Sequence, residues 1–340
     1  MTAPSPSPAD LERLWTGLAS VSAGELGRQT RRVIADSCHD CFLAVSFPDR
    51  RRMLSVVTDG ELLRGTGSRP LTSGVLLARG TDPTSGRPTL DIVLRDDSHS
   101  DIFTALVADL LSALAVSADP GAAGQILLAR LEDWRRMLGS VSPQGLAAEQ
   151  QRGLFGELTV LAGILLPVAG ARAVLAWTGP DGQLQDFQFP RAAIEVKTAS
   201  GNSAQVVRIA NERQLDYRLA GRLFLVTLAL DARRDGPGDT LPDLVANLRQ
   251  TVRSLAMSAE FEQRLNRCGY LETQAHLYAD RRYTVRQRLI HVVAEEFPRI
   301  TESDLRDGLS DVSYTVDLHA ASAFRTTELQ MISNLDLTHE

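Results

Sequence analysis

The chain has 340 residues, of which 44% are hydrophobic and 23% are charged, values typical of a folded globular protein. Its 36 basic and 42 acidic side chains give a formal net charge of −6, which argues against a broadly basic nucleic-acid-binding protein but allows a local basic groove. No apolar run is long enough to predict a membrane span, since VLAGILLPVAG is short and interrupted by Gly and Pro; no membrane is therefore expected as a partner.

The two ends of the chain predict little structure. The start, MTAPSPSPAD, has neither the basic nor the apolar segment of a secretory signal, so we expect residues 1–8 to form a disordered tail. Residues 326–340 are expected to form a second flexible tail. With three cysteines and no export signal, the sequence predicts a reducing, cytoplasmic location.

Residues 9–140 predict an N-terminal α+β domain. Residues 9–30 have the pattern of an amphipathic helix, and short apolar segments bounded by Gly, Pro and Asp then predict strands. These segments are CFLAVSFP, RMLSVVTDG, GVLLARG and TLDIVLRDD. Apolar residues at spacings of three and four predict two further helices, in SDIFTALVADLLSALAVS and ILLARLEDWRRMLGSV.

A cluster of Gly, Ser and Pro in GSVSPQG marks the boundary to a second domain, residues 145–325. A helix in GLAAEQQRGLFGELTVLAGILL is followed by three predicted strands, in AVLAW, QLQDFQF and AAIEVKTA. ANERQLDYRLA predicts a helix, and the apolar run RLFLVTLAL predicts a strand buried on both faces. The order helix, three strands, helix, strand predicts an α/β unit with a mixed sheet, which C-terminal helices and strands complete.

Lys197 is the only lysine in the chain, because every other basic residue is arginine. It lies in the predicted strand segment IEVKTAS, where a period of two places Glu195 and Lys197 on one face and Ile194 and Val196 on the other. Asp186 precedes Glu195 by nine residues, across a predicted hairpin that turns at Pro190 and Arg191. We therefore expect the two carboxylates to lie within a few ångströms of each other.

Two carboxylates that close repel each other unless a cation lies between them. Mg²⁺ takes oxygen ligands and keeps several waters, so it suits Asp186 and Glu195, with the Val196 backbone carbonyl as an extra ligand and Mn²⁺ as a substitute ion. Lys197 would orient or deprotonate a metal-bound water and stabilise developing negative charge. An arginine is bulkier, stays protonated and has a different reach, which would explain why this one position is a lysine.

Asp186 followed by Glu195-Val196-Lys197 resembles the PD-(D/E)XK nuclease motif, with Gln185 in place of the proline of its name. The wider pattern RGLFGEL…W.GP…DF…IEVKT…RQL is similar to that of the PD-(D/E)XK motif proteins of bacterial phage-defence islands. The resemblance implies a restriction-endonuclease-like core. It also implies that Glu157, on the first core helix, supports a second ion or orders metal-bound water, and that Gln214, on the helix after the motif strand, lies close to the metal or the scissile phosphate.

The function that this resemblance implies is Mg²⁺-dependent, restriction-like cleavage of DNA within an anti-phage defence system. DNA is then the expected partner, with other defence proteins and a second copy of the chain as further candidates. The alternative is a catalytically inactive nuclease fold that serves as a DNA-binding or assembly module of a defence complex. Intact Asp186, Glu195 and Lys197 argue against this alternative, whereas the acidic net charge argues for dependence on partners.

Other polar groups gave weaker signals. Cys38 and Cys41 form a CxxC pair, but a second pair of zinc ligands at suitable spacing is missing, so we interpret both as small residues entering a strand. Arg208 is a candidate phosphate contact. Two arginine runs are further candidates for contact with phosphates, although either could equally be a solvated face: Arg50-Arg51-Arg52, and Arg281, Arg282, Arg286 and Arg288. In the second run, Arg286 and Arg288 are expected to share a strand face.

Overall fold

The computed structural model describes residues 5–20, 27–58, 69–71, 74–82, 84–138, 144–201 and 205–335. The chain divides into two compact units. The first comprises residues 1–145 with 271–274, and the second comprises residues 146–270 with 275–340.

The first unit combines an antiparallel sheet with helices. Its strands are β1 (Gly27–Val33), β2 (Cys41–Phe47), β3 (Arg51–Val57), β4 (Arg69–Pro70), β5 (Val75–Thr81) and β6 (Pro88–Leu94). Its helices are α1 (Pro8–Ala19), α2 (Ser100–Ala115) and α3 (Ala123–Leu138). The strands lie in the order β1-β2-β3-β6-β5-β4, and each neighbouring pair is antiparallel. Alternate apolar residues of the sheet share one core with Trp15 and the apolar side of α2, which makes this unit α+β.

The helix predicted over residues 9–30 is shorter in the structure. It begins at Pro8, where the Ser7 hydroxyl accepts the Asp10 N–H, and it ends at Ala19. Gly27–Val33 forms β1 instead, because all seven residues pair with β2. Ser7 and Pro8, predicted to lie in a disordered tail, therefore belong to the start of a helix, and residues 1–4 lie outside the described residues.

The second unit contains a mixed sheet built from β7 (Phe187–Phe189), β8 (Ala192–Ser200), β10 (Leu223–Arg233), β11 (Asp239–Thr240) and β12 (Arg282–Val293). The strand order is β11-β12-β10-β8-β7, with β8 and β10 parallel and the other pairs antiparallel. Two further strands, β9 (Val206–Ile209) and β13 (Tyr314–Asp317), form a separate antiparallel pair. The helices are α4 (Ala148–Val160), α5 (Leu166–Ala169), α6 (Ala171–Ala176), α7 (Leu241–Ser254), α8 (Ser258–Arg267) and α9 (Glu328–Ser333).

Both faces of this mixed sheet are buried. Ile194 and Val196 of β8 lie in a core shared with α4 and α7. On the opposite face, Ala193 lies in a second core with Val207 of β9 and Val316 of β13. A polar side chain on β8 therefore enters a protein interior, where it requires a partner.

Helical turns continue from Ala148 to Ala169. This stretch includes all but the last residue of the apolar run VLAGILLPVAG, which Gly and Pro interrupt in the sequence. A π-helical turn over Leu161–Leu165 lies just before Pro167, and a proline removes one backbone donor from a helix. By length and composition this stretch could cross a bilayer, but 56% of its apolar window is buried inside the protein. It packs as a core helix.

Two predicted elements of the second unit have a different structure. AVLAW was predicted to be a strand, but Ala171–Ala176 is helical, in keeping with its alanine content, and only Trp177 makes an isolated bridge, to Phe187. The helix predicted in ANERQLDYRLA is instead a turn over residues 212–215, followed by a single 3₁₀ turn, Tyr217–Leu219. The Asn211 side chain accepts the N–H groups of Arg213 and Gln214 at 3.0 and 3.2 Å, and such local hydrogen bonds compete with a helix.

The flexible tail predicted for residues 326–340 is also wrong over its first ten residues. Thr327 caps α9, and Met331 and Leu335 are fully buried in the core of the second unit; residues 336–340 lie outside the described residues. Burial of these two side chains orders the segment. With these corrections, the architecture confirms the predicted restriction-endonuclease-like α/β fold.

Candidate active site

The hairpin of β7 and β8 brings Asp186 beside the motif strand. Phe189 pairs with Ala192 and Phe187 with Ile194, so the turn consists of Pro190 and Arg191 alone. Because β7 begins at Phe187, the backbone N–H of Val196 lies beyond the last strand pair, and it donates to Oδ2 of Asp186 at 2.7 Å. At this edge of the sheet, the Asp186 carboxylate thus accepts the hydrogen bond that a backbone carbonyl would accept if β7 continued.

Lys197 and Glu195 lie together on the face of β8 opposite to Ile194 and Val196, as the strand period predicted. The Lys197 Nζ is 2.6 Å from Oε1 of Glu195, and it donates to Oε1 of Gln214 at 3.1 Å. The same Gln214 oxygen also accepts the Ala210 N–H at 2.9 Å, which fixes the amide on the turn after β9. Gln214 therefore reaches the site from a turn, and the predicted helix is not needed to bring it there.

Glu157 joins the site from α4. Gly156 packs against Thr198 of β8 so closely that a side chain at position 156 would overlap the threonine methyl group. Next to it, Oε2 of Glu157 accepts the indole N–H of Trp177 at 2.7 Å. A Cβ atom at Gly179 would stand 3.1 Å from both Oε2 of Glu157 and Oδ1 of Asp186, so these two carboxylate oxygens flank one small space.

Burial raises the pKa values of all three carboxyl groups, and the charge of Asp186 adds to this effect at Glu157 and Glu195. Burial, followed by the charge of Asp186, raises the pKa of Glu157 well above its ordinary value. Burial also raises the pKa of Asp186, against the lowering effects of Lys197 and the Val196 N–H. For Glu195, burial and the charge of Asp186 raise the pKa to about 8. Burial alone would lower the pKa of Lys197, but Glu195 and Asp186 outweigh it and raise that pKa. The site therefore sets three carboxyl groups beside one ammonium, and their raised pKa values mean that they hold their protons more tightly than exposed carboxyl groups do.

The residues present fit a divalent cation. Oε2 of Glu195 is buried and has no hydrogen-bond partner, whereas Asp186 and Glu157 keep part of their surface exposed. The Val196 carbonyl points to the same side of β8 as its N–H, toward Asp186, because both groups of a strand residue face one neighbour. Among the described residues, no three His, Cys, Asp or Glu side chains are grouped as an ion site. Mg²⁺ is usually bound through only one or two carboxylates and waters, so this donor set suits it.

The structure thus brings together Glu157, Asp186, Glu195, Lys197 and Gln214, each of which the sequence singled out. It also brings in Trp177 and Gly179, to which the sequence assigned no role. The only signal for them was the W.GP element of the wider pattern.

The arginine candidates are mostly engaged by carboxylates. A shift of register between β10 and β12 leaves Arg286 without a paired residue in β10, so Arg286 and Arg288 do not share a strand face. Arg286 forms an ion pair with Asp231, and Arg288 forms one with Glu328. Arg208 is exposed on β9 and donates to Ser313 at 3.4 Å. Cys41 is buried at the start of β2, as its interpretation as a strand residue predicted, whereas Cys38 is exposed in the bend before that strand.

The chain was compared with protein families, with curated proteins and with solved structures. A family model described as "Putative PD-(D/E)XK family member, (DUF4420)" matches residues 11–319, which is most of the chain and includes every residue of the candidate site. Neither the curated proteins nor the solved structures gave a significant match.

Proposed function

Because the chain belongs to this family of PD-(D/E)XK proteins, which indicates a nuclease-like fold, we propose that it is a Mg²⁺-dependent endonuclease that hydrolyses phosphodiester bonds in DNA. The observation that carries the proposal is the grouping of Asp186, Glu195 and Lys197 at one edge of the mixed sheet. These three groups are the ones that such a reaction needs, and the fold places a buried, unpaired carboxylate oxygen among them.

Asp186, Glu195 and the Val196 carbonyl would hold the cation, which Mn²⁺ can replace. When bound, a divalent cation polarises a phosphoryl oxygen and lowers the pKa of water, so that hydrolysis can proceed at neutral pH. Glu157 would support a second ion, since its carboxylate and that of Asp186 flank one space. A divalent cation bound there would displace the protons that the raised pKa values of these carboxyl groups retain.

Lys197 would contribute positive charge where negative charge develops on the phosphate oxygens. Groups held in advance in a partly buried site are effective at this task, because they need not reorganise during the reaction. The Lys197 side chain is 18% exposed, and Glu195 and Gln214 hold its ammonium from two directions. Gln214 would therefore act by fixing the position of Lys197.

We place this activity in an anti-phage defence system of the bacterial cytoplasm, with DNA as substrate and with defence proteins or a second copy of the chain as candidate partners. The support is the resemblance of the sequence pattern to the proteins of phage-defence islands. The inactive nuclease-fold module remains the competing function, and the same assay separates the two.

The test is incubation of supercoiled plasmid with the full chain in Mg²⁺, in Mn²⁺ and in EDTA, with the products resolved on a gel. We expect cleavage with either metal, none in EDTA, and none from Glu195→Gln. Glu262→Gln, a change at a carboxylate of α8 that binds Arg249, serves as a matched control and should cleave normally. Metal-independent cleavage, or DNA binding without cleavage by the wild-type protein, would overturn the proposal.

A further inference from the structure

One short turn, residues 177–182, makes hydrogen bonds to both acidic residues beside Gly179: to the backbone carbonyl of Asp186 and to the carboxylate of Glu157. The N–H groups of Thr178 and Gly179 donate to the Asp186 carbonyl at 2.8 and 3.0 Å. The indole N–H of Trp177 donates to Glu157. The turn thus connects the end of α6 to the two acidic residues through one set of hydrogen bonds.

Helix α8 anchors this turn. Arg264, only 7% exposed, donates to the Trp177 carbonyl and lies 3.1 Å from Oδ2 of Asp181. Arg267 also binds Asp181. The Trp177 ring is fully buried, with its centroid 6.1 Å from that of Phe261, which lies on the same helix. The position of the indole N–H is therefore fixed by α8 and does not depend on Glu157.

Without a donor, the Glu157 carboxylate would turn away from Asp186, because two neighbouring carboxylates repel each other. An arginine or lysine would hold Glu157 but would also neutralise it. An indole is a neutral group that only donates, so it fixes one oxygen and leaves the negative charge available to a cation. Gly179 contributes by leaving the space between the two carboxylates free of a side chain.

We propose that Trp177 is a positioning residue that holds Glu157 beside Asp186, so that both carboxylates act on the same bound cation or cation pair. This inference rests on the proposed function and names a residue that fixes the position of a carboxylate in the site. Groups that hydrogen-bond to a metal ligand typically change metal affinity by about 10- to 100-fold when they are removed.

The experiment measures Mn²⁺ binding to the full chain by electron paramagnetic resonance of the free ion, with Trp177→Phe compared with wild type. Phenylalanine keeps an aromatic ring against Phe261 and removes the N–H. We expect affinity to fall about 10-fold or more. Trp134→Phe is a matched control, because the Trp134 indole donates to Asp109 at 2.9 Å in the first unit; it should bind Mn²⁺ like wild type.

A double variant tests the route of the effect. If Trp177 acts through Glu157, Trp177→Phe should cause no further loss of Mn²⁺ affinity once Glu157→Gln is present. Wild-type affinity in a folded Trp177→Phe protein, or independent losses in the double variant, would overturn the inference. Absence of Mn²⁺ binding by the wild-type chain would instead overturn the proposed function itself.

A second measurement needs no change at Trp177. In ¹⁵N-labelled protein, with indole resonances assigned by Trp15→Phe and Trp134→Phe, addition of Mg²⁺ should shift the Trp177 indole N–H. Glu157→Gln should abolish that shift. An unresponsive Trp177 resonance, at Mg²⁺ concentrations that shift backbone signals of β8, would contradict the inference.

Discussion

Gly156 of α4 lies directly against Thr198 of β8, and a methyl group at position 156 would overlap Cγ2 of the threonine. This contact sets how closely α4 approaches the strand that carries Glu195 and Lys197. We predict that Gly156→Ala lowers the free energy of unfolding by about 1–3 kcal/mol, because an extra methyl group in a packed core forces its neighbours to move. Chemical denaturation measures the loss.

Two variants check the cause of that loss. Thr198→Ser removes Cγ2, so it should restore most of the stability of Gly156→Ala in a double variant. Gly153→Ala, on the same helix but with open space around it, should be neutral or stabilise by up to about 1 kcal/mol through helix propensity. A Gly156→Ala protein as stable as wild type would show that the close approach is dispensable.

Lys197→Arg should fold and yet lose cleavage activity. The arginine keeps the positive charge, but its planar fork cannot place one donor where Nζ meets both Glu195 and Gln214. Misplacing such a group by about 1 Å can cost on the order of a hundredfold in rate. Cleavage rate and melting temperature should be measured together for wild type, Lys197→Arg and Lys197→Ala. An arginine variant that cleaves as fast as wild type would refute a specific role for the lone lysine.

Glu157→Gln should stabilise the metal-free protein at alkaline pH. The pKa of Glu157 is raised by burial and by Asp186, so the folded state binds its proton more tightly than the unfolded state does. That stabilisation is complete below the ordinary value of 4.5 and is lost as pH rises toward the folded pKa. In EDTA, the melting temperature of the variant relative to wild type should therefore rise with pH. A constant difference across pH would contradict this electrostatic account.

His291 should make the protein sensitive to mild acid. Its imidazole is fully buried on β12, neither ring nitrogen has a hydrogen-bond partner, and burial and then Arg325 lower its pKa from 6.5. The unfolded state therefore takes up the proton first, so the stabilisation that neutral His291 provides is present above pH 6.5 and is lost as pH falls below it.

Replacement by a leucine of similar volume tests this pH dependence. Between pH 7 and pH 5, His291→Leu should lose less stability than wild type in urea denaturation. His319→Leu, at an exposed position, should follow wild type. Parallel pH profiles for wild type and His291→Leu would show that other groups cause the acid sensitivity.

The motif strand and its hairpin could be predicted because their signals are local. Alternation along β8 fixes which side chains share a face, and a two-residue turn fixes the distance in sequence between Asp186 and Glu195. Lys197 stood out because no other lysine exists in the chain. These features need no knowledge of the rest of the fold.

The remaining features depend on side-chain hydrogen bonds, register shifts and contacts between distant segments, which periodicity does not reveal. AVLAW is short and apolar, and periodicity cannot decide between strand and helix for such a run. The turn that carries Gln214 forms because the Asn211 side chain captures two backbone N–H groups. Arg286 leaves the face of Arg288 because β12 shifts its register against β10. The role of Trp177 depends on α8, which lies about eighty residues further along the chain.

Because β7 is short, the length of the turn between β7 and β8 determines where Asp186 lies in the active site. The strand has three residues and begins just after Asp186, whose carboxylate accepts the next backbone N–H of β8. One residue inserted between Pro190 and Arg191 that moved the pairing by one position would send Asp186 to the opposite face of the sheet, while most of the core stayed intact. Insertions among the exposed residues 234–236 carry no such consequence. Length variation among relatives should therefore be rare at this hairpin, even where the residues of the turn differ.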